Sequence, residues 1–430
     1  MKALSLGIVT YLAFIVAVQA NQYIPAHVES HFAKAPVVED SATASSSSSS
    51  DAETTKQAEF AAVPFIFSTE TLSTAFGAAG VLKHAGQEQA SAVGIGLYTS
   101  NESWVGFLGL YNYQIPTLDQ WLFSAETYQG YYTEGIYYLD DHESPIEEPA
   151  RVISEGNEGY TRLHIKYVLP IADGAKGAAA SLYKPRNNIE WNPLTSGTTS
   201  IKFTPYSQYR ELTINPDLPE TARGYEVQFE WDNRNAQYDP TDGGKTSLTI
   251  KHGFAVDDFK DWTLWEFEQS AFFNLGETHW FNEQVLAANV FIADTPTWND
   301  YDSSTQQYHR PPSFAGVYLG GFERSRGYSS KQFTGRSAVN YSLEYRVKPQ
   351  WQPLQHWPVF NLYDIPWWQW VVFIEAGKVS DTFSAQALHT DMNFTAGGGV
   401  RLEVEDIVVR AELGVGSEES QFWVMVNQPF

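Results

Sequence analysis

Hydrophobic and polar residues alternate over many segments of the chain. In residues 225–232, Tyr, Val, Phe and Trp occupy one set of alternate positions, and Glu, Gln, Glu and Asp occupy the other. Residues 163–167 and 339–347 show the same pattern. A period of two is typical of a β-strand with one apolar and one polar face. These segments are therefore predicted to be strands.

Further segments extend this prediction over most of the chain. Together with the first three they make at least fifteen strands of about ten residues, joined by turn-rich pieces such as 242–244. No long stretch has the spacing of an amphipathic helix. The fold class is therefore predicted to be all-β. The additional predicted strands are 69–82, 89–100, 103–114, 121–138, 199–213, 245–253, 262–274, 281–293, 368–379, 394–405, 407–415 and 420–430.

Two segments of different composition precede the strands. Residues 3–18 are nearly all apolar and are followed by small residues that suit signal peptidase, so 1–20 is predicted to be a signal peptide. The apolar run is short of the ~20 residues that a spanning helix needs. Residues 21–61 include six consecutive serines and are predicted to be a flexible tether, because they carry little apolar surface. Residues 62–430 are predicted to be one domain.

Strands with one apolar face fit either a soluble sandwich or a transmembrane barrel. The barrel is favoured because the strands are long enough to cross hydrocarbon at a tilt. Aromatic residues also cluster near strand ends, as at Trp367, Trp368 and Trp370, where interfacial girdles form. The last predicted strand ends on Phe430, which resembles the signal read by the outer-membrane assembly machinery. We therefore predict a single closed antiparallel transmembrane β-barrel of 16 strands in the bacterial outer membrane.

Composition excludes several classes of function. The chain has 27 basic and 51 acidic residues, a net charge of −24, which argues against binding nucleic acid. It has no cysteine, which excludes disulfide scaffolds, thiolate metal sites and thiol nucleophiles. No metalloprotease, nucleophile-elbow or phosphate-loop motif is present, and the ten histidines lack metal-ligand spacing. We therefore predict no enzymatic activity, no metal and no cofactor.

One set of motifs resembles a known family. Residues 320–328 read Gly-Gly-Phe-Glu-Arg-Ser-Arg-Gly-Tyr, and residues 373–377 read Phe-Ile-Glu-Ala-Gly. The chain resembles the BamA/TamA-type outer-membrane barrels of the bacterial surface antigen superfamily over roughly 65 to 430. In that family a long extracellular loop carries an Arg-Gly-Tyr or Arg-Gly-Phe tip that folds back into the lumen. The stretches that carry the resemblance are 67–72, 231–235, 320–328, 335–337, 341–346 and 373–377.

The resemblance implies a lumen latch at the loop tip. An unpaired Arg326 guanidinium would be costly in a partly desolvated lumen. Alternation places Glu344 on the polar face of its strand and Glu375 on that of the next, so either carboxylate is a candidate acceptor for Arg326. The alternative is that Arg326 only stabilises the barrel. Arg346 and Arg401 are predicted to be ordinary lumen charges.

The other residues of these motifs have predicted roles around the latch. Gly327 is predicted to permit a tight bend at the tip, and Tyr328 to pack against the barrel wall. Phe373 and Gly377 belong to the Phe-x-acid-x-Gly motif that carries Glu375.

The resemblance also implies a class of function. Family members usually carry periplasmic domains ahead of the barrel, whereas only about 40 residues separate Ala20 from the first predicted strand. We therefore predict a barrel-only member that acts in outer-membrane biogenesis or in protein or lipid translocation. Its expected partners are outer-membrane lipid, the assembly machinery during biogenesis, and a separate periplasmic partner or client protein. Alternatives are a passive outer-membrane pore and a secreted all-β carbohydrate-binding protein.

Overall fold

The computed structural model describes residues 58–69, 73–139, 150–182, 186–214, 221–256, 259–358, 360–362, 365–404, 407–426 and 428–430. The predicted signal peptide and most of the predicted tether lie outside these residues. The first strand begins at Glu59, so regular structure starts inside the segment 21–61 that is predicted to be tether.

The described residues form twenty β-strands. In chain order they are β1 (Glu59–Thr69), β2 (Ser73–Lys83), β3 (Ser91–Thr99), β4 (Trp104–Tyr113), β5 (Trp121–Leu139), β6 (Ala150–Val168), β7 (Thr198–Leu212), β8 (Thr221–Asp232), β9 (Gly243–Gly253), β10 (Trp262–Asn274), β11 (Phe281–Asp294), β12 (Tyr301–Asp302), β13 (Gln307–Tyr308), β14 (Val317–Leu319), β15 (Phe333–Gly335), β16 (Ser337–Pro349), β17 (Trp368–Ser380), β18 (Asn393–Val404), β19 (Ile407–Val415) and β20 (Ser420–Val426).

Sixteen of these strands form one antiparallel sheet. Its order follows the chain from β1 to β11 and then from β16 to β20. The four short strands β12 to β15 pair into two small sheets within residues 295–336, which we call the long connection. The all-β antiparallel prediction is confirmed. The main sheet has 16 strands, the number predicted for the barrel, and the four short strands bring the total in the described residues to twenty. Pairing of β1 with β20 is not seen within the described ranges.

Helices are few and short in the part of the chain that the structure describes. They comprise two α-helical turns and four 3₁₀ turns, and none of them is long and apolar enough to span a bilayer. The α-helical turns are Ala178–Ser181 and Ala385–His389, and the 3₁₀ turns are Ala172–Lys176, Pro296–Asn299, Leu354–His356 and Phe360–Leu362.

The strands expose apolar side chains and bury charged ones. On β17, Val372 and Ile374 are 53% and 59% exposed, whereas Phe373 and Glu375 between and beside them are buried. The same face of other strands carries further large exposed apolar residues. Successive residues of a strand point to opposite sides of the sheet, so one side is apolar and open while the other is covered. The exposed residues on other strands include Phe76, Leu108, Leu163, Phe203, Ile250, Leu343, Phe394 and Leu413.

The long connection lies against the covered side of the sheet. Its Arg324 donates to Glu268 of β10 at 2.9 Å, and Trp423 of β20 donates to the carbonyl of Arg326 at 2.7 Å. Nearer the start of the sheet order, the guanidinium carbon of Arg210 on β7 lies 5.4 Å from the ring centroid of Phe314, which belongs to the long connection. Because strands from β7 to β20 touch one connection, the sheet curves around it, and we call this side the interior.

The two ends of the sheet are named after the chain segments that lie there. We call the end with the long connection the loop end. The opposite end, where β1 begins and β20 ends, is the terminal end.

Candidate functional site

Arg326 lies in the long connection between β14 and β15, and its side chain is fully buried. Its backbone N–H donates to Oε2 of Glu375 at 2.7 Å, and its Nε donates to Oε1 of the same carboxylate at 3.1 Å. Glu375 thus binds the main chain and the side chain of Arg326 together. Such charge-assisted, two-point bonding fixes the orientation of the loop tip relative to β17.

Two more strands supply carboxylates to the same guanidinium. Nη1 of Arg326 lies 2.7 Å from Oε1 of Glu344 on β16 and 2.8 Å from Oε2 of Glu412 on β19. The guanidinium carbon also lies 3.5 Å from the ring centroid of Phe373, a cation–π geometry. One arginine of the long connection is therefore held by three strands of the sheet.

Three further arginines extend this cluster. Arg401 contacts both Glu344 and Glu412, at 2.9 and 2.6 Å. Arg346 donates to Glu344 at 2.8 Å, and Arg410 donates to Glu412 at 3.0 Å. We call these residues the Arg326 network; its members are Arg326, Arg346, Arg401, Arg410, Glu344, Glu375 and Glu412.

The network is buried and almost balanced in charge. It contains four guanidinium groups and three carboxylates, a formal charge of +1 (4 − 3). Isolated charges would be very unfavourable there, so each group depends on its partners. The predicted acceptors Glu344 and Glu375 both bind Arg326. Arg346 and Arg401, predicted to be ordinary lumen charges, belong to the same network.

Glu412 and Arg410 were missed at the sequence level. The alternation of β19 places both on one face with Gly414, and this face is polar. That signal was present in the sequence, but it does not show which strand faces the loop tip. The contact exists because interior side chains of β16, β17 and β19 reach the same residue of the long connection, although β18 lies between β17 and β19 in the sheet.

The residues after Arg326 pack on the β19–β20 turn. The Tyr328 hydroxyl lies 3.0 Å from Oγ of Ser417 and accepts from the Ser417 backbone N–H at 3.1 Å. The Gly327 N–H donates to Oγ1 of Thr395 on β18 at 3.3 Å. Tyr328 is buried against the wall, where the motif predicted it.

Gly327 lies in a tight turn at the loop tip, where a bend was predicted, and it also allows close packing. The turn is closed by the N–H of Tyr328, which donates to the carbonyl of Ser325 at 3.0 Å, so Gly327 is one of its two central residues. It does not have a positive φ; Ser325, with φ 55°, and Gly320 and Gly321, with φ 99° and 117°, take the left-handed positions. A Cβ at Gly327 would lie 2.5 Å from the backbone nitrogen of Gly416. Two backbones therefore meet where no side chain fits. Gly377 is similar, since a Cβ there would lie 2.8 Å from Oγ of Ser325.

We expect Gly327→Ala to push the loop tip away from the β19–β20 turn. Overpacking at a site lined by backbone costs about 1–3 kcal/mol of unfolding free energy. The measurement is the denaturant midpoint of the purified protein. Gly106→Ala is the matched control, because no atom lies within 4 Å of a Cβ at that glycine. Equal midpoints for the two variants would contradict the close approach.

Phe430 does not lie on the last strand. β20 ends at Val426, and the ring of Phe430 turns inward to lie 6.3 Å, centroid to centroid, from Phe272 of β10. The predicted last strand, 420–430, therefore ends earlier than expected, at Val426. The position expected of an assembly signal, an aromatic at the end of the last strand, is not the one that Phe430 occupies.

No cluster of metal-ligating side chains occurs in the part of the chain that the structure describes. The network consists of guanidinium and carboxylate groups that already bind each other. Its chemistry is that of a mechanical attachment between the long connection and the sheet.

Comparisons with known proteins show similarity at the level of fold. No family model matches the sequence, and no curated protein matches it. CdiB from Escherichia coli has a similar structure, with a TM-score of 0.54 and 11% identity over 86% of this chain. CdiB from Acinetobacter baumannii has a TM-score of 0.48 and 13% identity over 86% of this chain. The chain spans 61% and 59% of the lengths of these two chains.

Proposed function

We propose that the protein is an integral outer-membrane β-barrel of the Omp85 type that acts in outer-membrane biogenesis or in protein or lipid translocation. Within that type, the motifs at 320–328 and 373–377 favour the BamA/TamA branch. The long connection occupies the lumen, and the Arg326 network latches it there. A polypeptide client, and a separate periplasmic partner that delivers it, complete the proposed function.

The inverted arrangement of side chains carries this proposal. In water, β17 would expose Val372 and Ile374 while burying Glu375, which is the reverse of a stable soluble fold. A bilayer removes the conflict, because lipid covers the apolar face while the charged face stays inside. This argues against the soluble carbohydrate-binding alternative. The fold shared with CdiB gives further support.

The filled interior favours translocation over passive conduction. A passive pore needs an open water path, whereas here the long connection contacts β7, β10 and β20 across the interior. A loop that is held by ion pairs and hydrogen bonds, with no covalent link to the sheet, can be attached or released. Such a two-state element suits a barrel that opens only for its substrate.

Membrane fractionation tests the proposal. The protein expressed in a Gram-negative host is expected in the outer-membrane fraction, and its unheated form should migrate differently from its heated form on a gel. We expect Ile374→Lys to prevent this insertion, because a lysine on the lipid face near mid-strand costs about 2–4 kcal/mol. Gln386→Lys, at an exposed position in the Ala385–His389 turn, is the control and should insert normally.

Two results would refute the membrane location. One is recovery of the parent protein as a soluble periplasmic species without heat-modifiable mobility. The other is normal insertion of Ile374→Lys, since a lysine at that position is unfavourable only if the surface faces lipid.

A further inference from the structure

Residues 428–430 cross the interior at the terminal end. Beyond β20, the side-chain oxygen of Gln428 accepts a hydrogen bond from Nη1 of Arg401. Phe430 packs against Phe272, Val285 and Ala287 of β10 and β11. In the sheet order, β11, β16, β17, β18 and β19 separate β10 from β20. The contact therefore spans the concave side and does not follow the sheet.

The Phe430 ring fills a pocket with a cationic wall. The guanidinium carbon of Arg346 lies 5.2 Å from the centroid of Phe430 and 5.3 Å from that of Phe272, so the cation is shared by two rings. Apolar contact comes from Val285 and Ala287. Such a pocket selects an aromatic side chain, because the ring faces attract the cation and the ring buries apolar area.

Residues 428–430 do not satisfy every hydrogen-bond donor of this pocket. Arg346 is only 2% exposed, and its Nε bonds Glu344. Its Nη1 and Nη2 have no hydrogen-bond partner among the residues that the structure describes. A buried donor without an acceptor is costly, so an occupant that brings an oxygen acceptor beside its aromatic ring would bind better.

We propose that residues 428–430 are an internal occupant of a peptide-binding pocket formed by Phe272, Val285, Ala287, Arg346 and Arg401. The competing ligand is a polypeptide segment with an aromatic side chain next to a carboxylate or carbonyl oxygen. A segment of that kind displaces residues 428–430 and opens the terminal end. The identity of this ligand rests on the proposed function, whereas the occupancy by residues 428–430 does not.

A single introduced thiol reports whether the pocket is covered. The chain has no cysteine, so Ala287→Cys provides a unique site at a position that is 0% exposed. In the purified full-length protein, this thiol should react slowly with a maleimide. Adding Phe430→Ala should raise the reaction rate about tenfold or more, because the side chain that covers it is gone. Gln428→Ala, which removes the bond to Arg401, should act in the same direction with a smaller factor.

Phe422→Ala is the matched control. Phe422 is an aromatic residue of β20 between the buried Gln421 and Trp423, so it lies on the other face of that strand. Its removal should change the labelling rate less than about twofold, which separates local uncovering from general loosening. Unheated gel mobility shows that each variant is folded before labelling.

Synthetic peptides test the pocket directly. In the Ala287→Cys, Phe430→Ala protein, the peptide Asn-Gln-Pro-Phe should slow labelling again, whereas Asn-Gln-Pro-Ala should not. Adding Arg346→Ala should abolish this protection. Labelling of the Ala287→Cys protein as fast as of the Ala287→Cys, Phe430→Ala protein, or equal effects of the two peptides, would overturn the inference. The labelling uses only the folded chain, so its outcome is independent of the fractionation test above.

Discussion

Arg326→Ala is expected to release the long connection from the sheet and to destabilise the protein more than any other single change in that connection. Removing the guanidinium leaves Glu375 without its arginine partner and takes one arginine partner from each of Glu344 and Glu412 in a buried site. Breaking a buried ion pair from one side costs about 3–5 kcal/mol. The unfolding midpoint in denaturant should fall accordingly. Conductance in planar bilayers should rise, because the released connection no longer fills the lumen.

Two variants make this experiment specific. Arg326→Lys keeps a positive charge but lacks the planar fork that reaches several carboxylates, so it should recover only part of the loss. Arg336→Ala removes another arginine of the long connection, which pairs with Asp294 at 2.9 Å and is 20% exposed. Arg336→Ala should lower the unfolding free energy less than Arg326→Ala does, and it should leave conductance unchanged. If Arg326→Ala resembles Arg336→Ala, the latch is wrong.

The two measurements also separate the two roles considered for Arg326. A residue that only stabilises the barrel should lower the unfolding midpoint without changing conductance while the protein stays folded. A latch should change both, because the long connection leaves the interior before the sheet unfolds. Conductance at a denaturant concentration well below the midpoint therefore distinguishes them.

Most of the sheet could be predicted because its strands are amphipathic. β8, β16 and β17 have clear alternation, and the structure places strands there. β6 is different: it runs from Ala150 to Val168, whereas only 163–167 were predicted. Its first part, which includes Ser-Glu-Gly-Asn-Glu-Gly over 154–159, has few apolar residues on either face. Pairing with β5 and β7 stabilises this segment as a strand. This tertiary contribution does not appear in the sequence as an alternation of apolar and polar residues.

The strand β1 was not predicted from the sequence, for a physical reason different from that for β6. Glu59–Thr69 includes Pro64, which donates no hydrogen bond to a neighbouring strand and argues against a central strand. The structure places this segment first in the sheet order, next to β2. Proline is tolerated on edge strands, because one side of such a strand has no neighbour in the sheet that needs its donors.

Only those features of the candidate site that depend on a single strand or loop could be predicted from the sequence. Alternation identifies Glu344 and Glu375 as polar-face residues, and the resemblance identifies Arg326 as a loop-tip residue. The convergence of β16, β17 and β19 on one guanidinium depends on the curvature of the whole sheet. Local sequence does not encode that curvature, so Glu412 could not be assigned to Arg326 in advance.

Glu412 is one of two carboxylates in the network that each bind three arginines, the other being Glu344. Glu412 binds Arg326 and Arg410 through Oε2 and Arg401 through Oε1, whereas Glu375 binds one arginine, Arg326. Glu412→Gln would leave four guanidinium groups facing two carboxylates. We therefore expect a larger fall in unfolding free energy for Glu412→Gln, about 3–5 kcal/mol, than for Glu375→Gln. Denaturant midpoints of the two variants provide the comparison.

A second substitution tests whether the loss of charge balance causes the destabilisation expected for Glu412→Gln. Arg410 donates to Glu412 and to the carbonyl of Phe322, so removing it from the Glu412→Gln protein takes away one of the excess positive charges. The double variant Glu412→Gln, Arg410→Ala should therefore be less destabilised than the sum of the single variants, by about 0.5–3 kcal/mol. Glu418→Gln, at an exposed position in the neighbouring turn, should have no effect. Strict additivity of the two network substitutions would mean that the arginines and carboxylates act independently and that Arg326 is held by its own three contacts alone.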